Sequence, residues 1–503
     1  MLQSFSANHA CSLRDLLVDA EFHGAPDILV RSCSCDSLAC RPGDVFVALP
    51  GSRIDGHDFI YEAIARGAVG VIAERDPPAG VPTCIVSDTR WAFGQICQAL
   101  AGDPSHKLRV IGVTGTNGKT TTVRLIASVL KAAGHGCGTL GTLGYDDSRE
   151  SVPAELTTPA APRLATWLGR MVDNGCSHAV MEVSSHALAQ HRVAGLELAH
   201  ACITNLRRDH LDYHGTLANY HHDKIGIVDY LRPGGVAVIN ADDPHSVKHA
   251  PLLPGRVFSI GIHAKADITA TLLERTKSDQ TFLLSVGKAT VPVRTAMIGD
   301  HHVYNCLAAT AIGLAEGIDL MTIVRGLEAV DHVPGRLERI ECGQPFGVYV
   351  DYAHTPDALR VSLETVAEVA AGRTICVFGA GGDRDRDKRP LMGRVVESLA
   401  DVAIVTTDNP RFEDPEAIGT EVLAGFERPG EARWIVDRTE AIHHALSLAG
   451  PDDCVIVAGR GHEPFQHVGD QRHPLDDREV VRSYLYNLPP NSLYGGLQSV
   501  GNS

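Results

Sequence analysis

The 503-residue sequence contains no apolar run approaching the roughly 20 residues of a membrane span, so no spanning helix is expected. Its first residues, Met-Leu-Gln-Ser-Phe-Ser-Ala-Asn-His, lack a basic segment followed by an apolar core. No secretory leader is expected, and the cytoplasm is the expected compartment. Positive charge is scarce: 45 Lys and Arg stand against 61 Asp and Glu, a formal net charge of −16. That balance disfavours nucleic acid or an anionic membrane as the main partner, while leaving room for an anionic small molecule in a locally basic cleft. A paired-cysteine framework is missing too. The 13 cysteines are odd in number and scattered, mostly within apolar runs such as Ile375-Cys-Val-Phe378 and Cys454-Val-Ile-Val457, as reduced core thiols are. Cys33, Cys35 and Cys40 form the one cluster, and a zinc site there would need a fourth ligand at suitable spacing.

What is present is organised around Val110-Ile-Gly-Val-Thr-Gly-Thr-Asn-Gly-Lys-Thr-Thr-Thr122, which reads as a buried strand, a Gly-rich loop and the first turn of a helix. Gly115 and Gly118 let backbone N–H groups turn inward, Lys119 supplies a point charge and Thr120 offers a hydroxyl to Mg²⁺. A nucleoside triphosphate is the expected ligand. The full P-loop pattern has a further Gly at the position occupied by Val113, so the match is partial.

The chain is too long for one core, and about three domains are expected. Residues 1–105 read as a small α/β module with strands at 28–30, 45–48 and 69–73 and helices near 57–66 and 90–101. Gly102-Asp-Pro-Ser105 marks a boundary. A central P-loop domain is expected over 106–332, with a mostly parallel sheet. In it, Ala179-Val-Met-Glu-Val-Ser-Ser-His186 is an apolar strand whose Glu182 stands where a Walker B carboxylate would hold Mg²⁺. A surface glutamate at a strand end is the alternative. Leu206-Arg-Arg-Asp-His-Leu-Asp-Tyr-His-Gly215 crowds ionisable groups after another strand: His210 can bind a metal, with Asp209 orienting it. Lys224 follows on a helix, where a lone lysine is usually solvated. Residues 256–295 read as irregular strands.

Residues 333–488 alternate strands and helices in doubly wound, Rossmann-like fashion. Four strands run into polar loops: Asp351-Tyr-Ala-His-Thr-Pro356, Gly379-Ala-Gly-Gly-Asp-Arg-Asp-Arg-Asp387, Thr407-Asp-Asn-Pro-Arg411 and Gly459-Arg-Gly-His-Glu463. Carboxyl ends of parallel strands share one edge, so these loops should meet in a single crevice. Arg384, Arg411 and Arg460 can grip carboxylates there while Asp408 and Glu463 hold an ammonium, which suits an amino acid. Residues 489–503 read as a disordered tail.

Gly-Thr-Asn-Gly-Lys-Thr, Thr157-Thr-Pro, Glu182-Val-Ser-Ser-His, Arg208-Asp-His-Leu-Asp-Tyr-His-Gly, Asn305, Gly335-Arg-Leu-Glu, Asp351-Tyr-Ala-His-Thr-Pro and the three later loops together resemble the Mur ligases of peptidoglycan synthesis, over nearly the whole chain. Within that family the motifs look most like those of the members that add meso-diaminopimelate to the D-glutamate of a UDP-N-acetylmuramoyl dipeptide. The resemblance implies three α/β domains, ATP and Mg²⁺, and an acyl phosphate attacked by the incoming amine. It implies ATP contacts from Gly115, Thr116, Asn117, Gly118, Lys119, Thr120, Thr121, Asn305, Arg336 and Asp351. Thr120 and Glu182 would hold one metal ion and His210 a second, helped by Lys224 as a carbamate. UDP-muramoyl-peptide contacts fall on Ser37, Thr157, Thr158, Ser184, Gln190 and Arg192. Amino-acid contacts fall on Arg384, Asp408, Asn409, Pro410, Arg411, Gly459 and Glu463. Arg411 favours diaminopimelate, with its extra carboxylate, over lysine. A monomer is expected. The chain departs from the usual family residues at Leu38, Arg207, Arg460 and Asp300-His-His302. The rivals are a lysine-adding ligase of the family, a folylpolyglutamate-synthetase-like ligase, and a nucleotide-binding regulator without productive turnover.

Overall fold

The computed structural model describes residues 4–51, 54–75, 80–253 and 255–487. Three large sheets follow one another along the chain. The first is six-stranded, in the order Ser4–Ser12, Leu29–Ser34, Val45–Val47, Gly70–Ala73, Thr83–Ile85, Glu21–His23. Its inner pairings are parallel and both edges antiparallel. The helix Thr89–Leu100 starts at Asp88, whose carboxylate accepts from the Trp91 N–H at 2.8 Å, and lays Phe93, Ile96, Cys97 and Leu100 into the core. Among the described residues the cysteine cluster is split: Cys33 lies in that core, whereas Cys40 packs with Phe46 and Ile60 in a separate one.

The central sheet has eleven strands. Its six middle pairings are parallel, and Arg109–Thr114 lies between His178–Glu182 and Leu198–Ile203. Register sets Val113 opposite both Glu182 and Cys202, so three strand ends open onto one edge. Val113 is fully buried in that strand, which explains why valine is tolerated at the P-loop's first glycine position: the residue belongs to the sheet and not to the turn. Lys119–Ala132, Asp300–Ala315 and Leu320–Glu328 cover one face, burying Leu125, Ile126, Leu307, Ile312, Ile323 and Leu327. Residues 256–295 are more regular than expected. Ile268–Arg275, Gln280–Val286 and Ala289–Thr295 form an antiparallel meander, because alternate residues Phe282, Leu284 and Val293 point into the same core.

The third sheet runs Glu338–Arg339, Gly347–Asp351, Cys454–Ala458, Thr374–Phe378, Val402–Val405, Arg433–Trp434, parallel except at its first pair. Pro356–Val369 and Lys388–Leu399 pack on one face and Arg438–Leu448 and Asp477–Tyr486 on the other, the doubly wound arrangement expected. The tail 489–503 lies outside the described residues. Among those described, no helix is long and apolar enough to cross a membrane.

Candidate active site

The strand Arg109–Thr114 releases the chain at Gly115 and the helix Lys119–Ala132 receives it. Glycine is required at both ends of the loop. Gly115 has φ +146°, and a Cβ there would lie 1.9 Å from Thr204 Oγ1; Gly118 has φ +85°, and a Cβ there would lie 2.5 Å from Asn305 Oδ1. Thr204 fastens the loop by donating its hydroxyl proton to Asn117 O at 2.5 Å, with Thr114 O 3.3 Å away. Thr116 Oγ1 meets Tyr220 Oη at 3.0 Å, and Thr122 Oγ1 donates to Asn305 Oδ1 at 3.2 Å.

Two lysines share one acceptor under this loop. Lys119 Nζ and Lys224 Nζ each donate to Gly115 O at 2.8 Å, and Lys119 also reaches Thr116 O at 3.0 Å. Lys224 is therefore not a solvated helix lysine; it is 1% exposed, with Nζ 4.9 Å from the Tyr220 ring centre. Burial, reinforced by the Lys119 charge, pushes its pKa well below the usual lysine value. Burial lowers Lys119 as well. His210 stands nearby with Asp209 Oδ2 3.5 Å from its Nε2; burial, with Lys119 and Lys224 adding to it, pushes the imidazole down to about 4 against the pull of Asp209.

Glu182 is buried, which removes the surface-glutamate alternative. Its carboxylate accepts from Thr120 Oγ1 at 3.1 Å, from Thr142 Oγ1 at 3.1 Å and from Thr142 N at 2.7 Å. Arg336 reaches across from the third sheet's side and donates to Thr120 Oγ1 at 3.1 Å. Between the two sheets lies a cavity of about 450 Å³ lined by Asn117, Gly118, Thr121, Asn305, Arg336 and Asp351. Asp351 borders it mainly as a builder: its carboxylate accepts from Leu337 N at 2.6 Å, Ala353 N at 3.0 Å and Ser362 Oγ at 2.9 Å, fixing the turn that presents Arg336.

On the third sheet, Asn409 Nδ2 donates to Glu463 Oε2 at 2.8 Å and Tyr352 Oη to Glu463 Oε1 at 3.3 Å. Burial, then the neighbouring Asp408, raises the Glu463 carboxyl. Asp408 Oδ1 accepts from Asn409 N at 2.7 Å, and its buried Oδ2 has no hydrogen-bond partner among the described residues. Gly459 makes room for it, since a Cβ there would sit 2.4 Å from that oxygen. Pro410 leads into Arg411, held at φ +52° by Arg411 N donating to His467 O at 3.0 Å and Gly469 N to Arg411 O at 2.6 Å. Its guanidinium donates to Gly382 O at 2.6 Å. Burial lowers the Arg411 pKa, and so does the facing charge of Arg384, itself exposed. Arg460 is a correction: it is fully buried, donates to Leu475 O at 2.6 Å and faces Asp477, so it braces the loop from behind instead of entering the crevice.

Three family profiles match in succession: Mur ligase family, catalytic domain, at residues 29–98; Mur ligase middle domain, at 113–313; and Mur ligase, glutamate ligase domain, at 335–461. A protein of Geobacillus thermodenitrificans named UDP-N-acetylmuramoyl-L-alanyl-D-glutamate--2,6-diaminopimelate ligase is 43% identical over 470 residues, covering 92% of this chain and 95% of that protein. The chain belongs to the Mur ligase family. A Gloeobacter violaceus protein of the same name is 44% identical over 466 residues, covering 92% of this chain and 94% of its own. A solved structure bearing that name superposes with a TM-score of 0.65 at 34% identity, over 90% of this chain and 94% of the other. The chain is an ATP-dependent ligase, as its family is, and the regulator without turnover is set aside.

Within this Mur ligase, four of the six residues expected at the UDP-muramoyl peptide, Thr158, Ser184, Gln190 and Arg192, form one hydrogen-bonded chain. Thr158 Oγ1 lies 3.3 Å from Ser184 Oγ, and Arg192 donates to Thr158 O at 3.0 Å and to Gln190 Oε1 at 2.7 Å, while Thr157 Oγ1 lies 3.2 Å from the Thr142 hydroxyl that donates to Glu182. Ser37 stands apart, donating to Glu62 Oε2 at 2.9 Å within the first sheet's module. Sequence reasoning passed over Lys388, half-buried within the field of Asp209 and Asp408, with desolvation lowering its pKa against the pull of both carboxylates. It also passed over the cavity-lining His302, whose ring nitrogens have no partners among the described residues. The irregular Asp300-His-His302 run was the available signal for the second. For Lys388 there was none, because Asp209, whose charge acts on it, is 179 positions away in the sequence.

Proposed function

We propose that this ligase forms an amide between an amino group of meso-diaminopimelate and the side-chain carboxyl of D-glutamate in UDP-N-acetylmuramoyl-L-alanyl-D-glutamate, through an acyl phosphate made from ATP. The observation that carries the substrate is the crevice pairing Arg411 and Arg384 with Asp408, Asn409 and Glu463: two cations for carboxylates beside two acidic groups for an ammonium. The names of the relatives agree with it.

ATP would enter the cavity of about 450 Å³, with its phosphates on the Gly115–Gly118 amides and Lys119 turning from the loop carbonyls to their oxygens. Thr120 Oγ1 and Glu182 Oε2, 3.1 Å apart, offer a hydroxyl and a carboxylate to Mg²⁺. Among the described residues no three His, Cys, Asp or Glu form a closed cage, which fits an ion held by one or two side chains plus phosphate oxygens. Mg²⁺, when bound, would neutralise charge developing on the transferred phosphoryl group. Neutral Lys224, its pKa depressed, can add CO₂ and lose a proton to become an anionic carbamate, which with His210 would hold a second ion. The glutamate carboxylate then attacks the γ-phosphorus and ADP leaves; the amine attacks the acyl phosphate and inorganic phosphate leaves.

The test is phosphate release from ATP with the UDP-dipeptide and Mg²⁺, comparing meso-diaminopimelate, L-lysine and no amino acid. Release with diaminopimelate alone is expected. Release with lysine would discard the Arg411 argument, and release with neither would refute the muramoyl substrate.

A further inference from the structure

Ser185, His214 and Asp223 form a hydrogen-bonded relay that neither ATP nor the amino acid explains. Ser185 Oγ lies 3.0 Å from His214 Nε2, and His214 Nδ1 lies 2.7 Å from Asp223 Oδ2. A carboxylate only accepts, so Nδ1 carries a proton, and in the neutral ring Nε2 then accepts from the serine hydroxyl. The order is that of a hydrolytic triad, but Ser185 is 2% exposed and His214 6%, on the first turn of Ser185–Ala189 and the last of Leu211–His214. The hydroxyl is enclosed by its own protein and is not offered to a substrate carbonyl.

What the relay touches is the metal-facing machinery. Leu211–His214 is a single turn, too short to hold itself, and the residue that opens it is His210 at φ +51°. His214 N and Tyr213 N donate to His210 O at 3.0 and 3.1 Å, so clamping the His214 ring fixes the turn that aims the His210 ring. At the other end, Asp223 precedes Lys224 on Leu217–Ile225, and a force on its carboxylate sets the rotation of that helix. Ser185 follows Ser184, which bonds Thr158 in the UDP-muramoyl chain. One imidazole thus ties together three short elements carrying Ser184, His210 and Lys224.

We infer that Ser185, His214 and Asp223 are positioning residues that hold His210 and Lys224 in register for metal binding and for carbamylation. This rests on the reading of Lys224 given above. Groups that orient ligands in this way change activity by about ten- to hundredfold when removed.

The experiment uses the full-length enzyme as parent, Ser185→Ala, Asp223→Asn, His214→Phe, and Ser185→Ala combined with His214→Phe. Two quantities are read: kcat and KM for ATP in the ligation assay, and, without nucleotide, metal or substrate, the ¹³C carbamate resonance of enzyme equilibrated with ¹³C-bicarbonate. Each single variant should lose about tenfold in kcat, keep KM for ATP within about twofold and show a smaller carbamate signal. The combined variant should fall no further than His214→Phe alone, because parts of one unit are non-additive. Parent-like kcat and carbamate signal in Ser185→Ala and Asp223→Asn would overturn the inference even if His214→Phe does not fold, as would additive losses. A parent that ligates without a carbamate signal overturns the reading of Lys224 instead.

Discussion

Replacing Gly115 with alanine tests the loop from its geometry outward. The substitution asks a Cβ to occupy φ +146°, for which a left-handed backbone costs about 1–2 kcal/mol, and to sit 1.9 Å from Thr204 Oγ1. Thr204 must swing away, giving up the bond its single hydroxyl proton makes to Asn117 O, at about 0.5–1.5 kcal/mol. The sum is about 1.5–3.5 kcal/mol. Gly134 provides the control: it has φ +83° and nothing within 4 Å of where a methyl would sit, so Gly134→Ala should cost only the backbone part, about 1–2 kcal/mol. The chemistry should suffer too, since Gly115 O anchors both Lys119 and Lys224. Urea unfolding of both variants, with ATP kinetics, checks this. Gly115→Ala should be the less stable and lose at least about tenfold in kcat/KM for ATP, equivalent to roughly 1.4 kcal/mol. Equal stability of the two variants and parent-like ATP kinetics would refute the steric reasoning.

Arg411→Ala should raise KM for meso-diaminopimelate about ten- to hundredfold, the worth of a charge-assisted hydrogen bond of about 1.5–3 kcal/mol, with KM for ATP unchanged in steady-state kinetics. Lys224→Arg keeps a cation where a carbamate is proposed; ligation should fall about a hundredfold or more while calorimetry still detects ATP binding. Arg460→Lys, at a residue that braces its loop from behind, should lower the melting temperature and leave KM for the amino acid unaltered. The Arg389 hydrogen bond holds the Glu413 carboxyl down to about 2, against an ordinary 4.5. Its stabilising contribution is complete above about 4.5 and is lost as pH falls toward about 2. Acid unfolding followed by circular dichroism should begin at higher pH in Glu413→Gln, which has no such carboxylate.

The phosphate loop was legible because its function depends on backbone shape, and shape there depends on glycine: Gly115 and Gly118 are spaced for a turn that no other residue fits. The doubly wound third sheet was legible because its four inner strands are buried on both faces and read as apolar runs. The meander at 280–295 was harder, as strands such as Ala289–Thr295 bury only alternate residues and carry Pro292 and Arg294 outward. Arg460 misled because its neighbours Gly459 and Glu463 do face the crevice, and a sequence motif does not record which side of a loop a side chain takes.

By itself the sequence determined the family, the order of the three α/β units and the residue types brought to each strand end, since these follow from local hydrophobic period and turn chemistry. Tertiary structure alone decided the contacts between distant segments. Lys224 meets Gly115 across 109 positions and Arg336 meets Thr120 across 216. Such pairs leave no local pattern, because register in the parallel sheet and the seating of one sheet against the next set them. The same is true of Lys224's depressed pKa: the side chain is an ordinary lysine in sequence, and its low affinity for a proton comes from being buried beside a second ammonium.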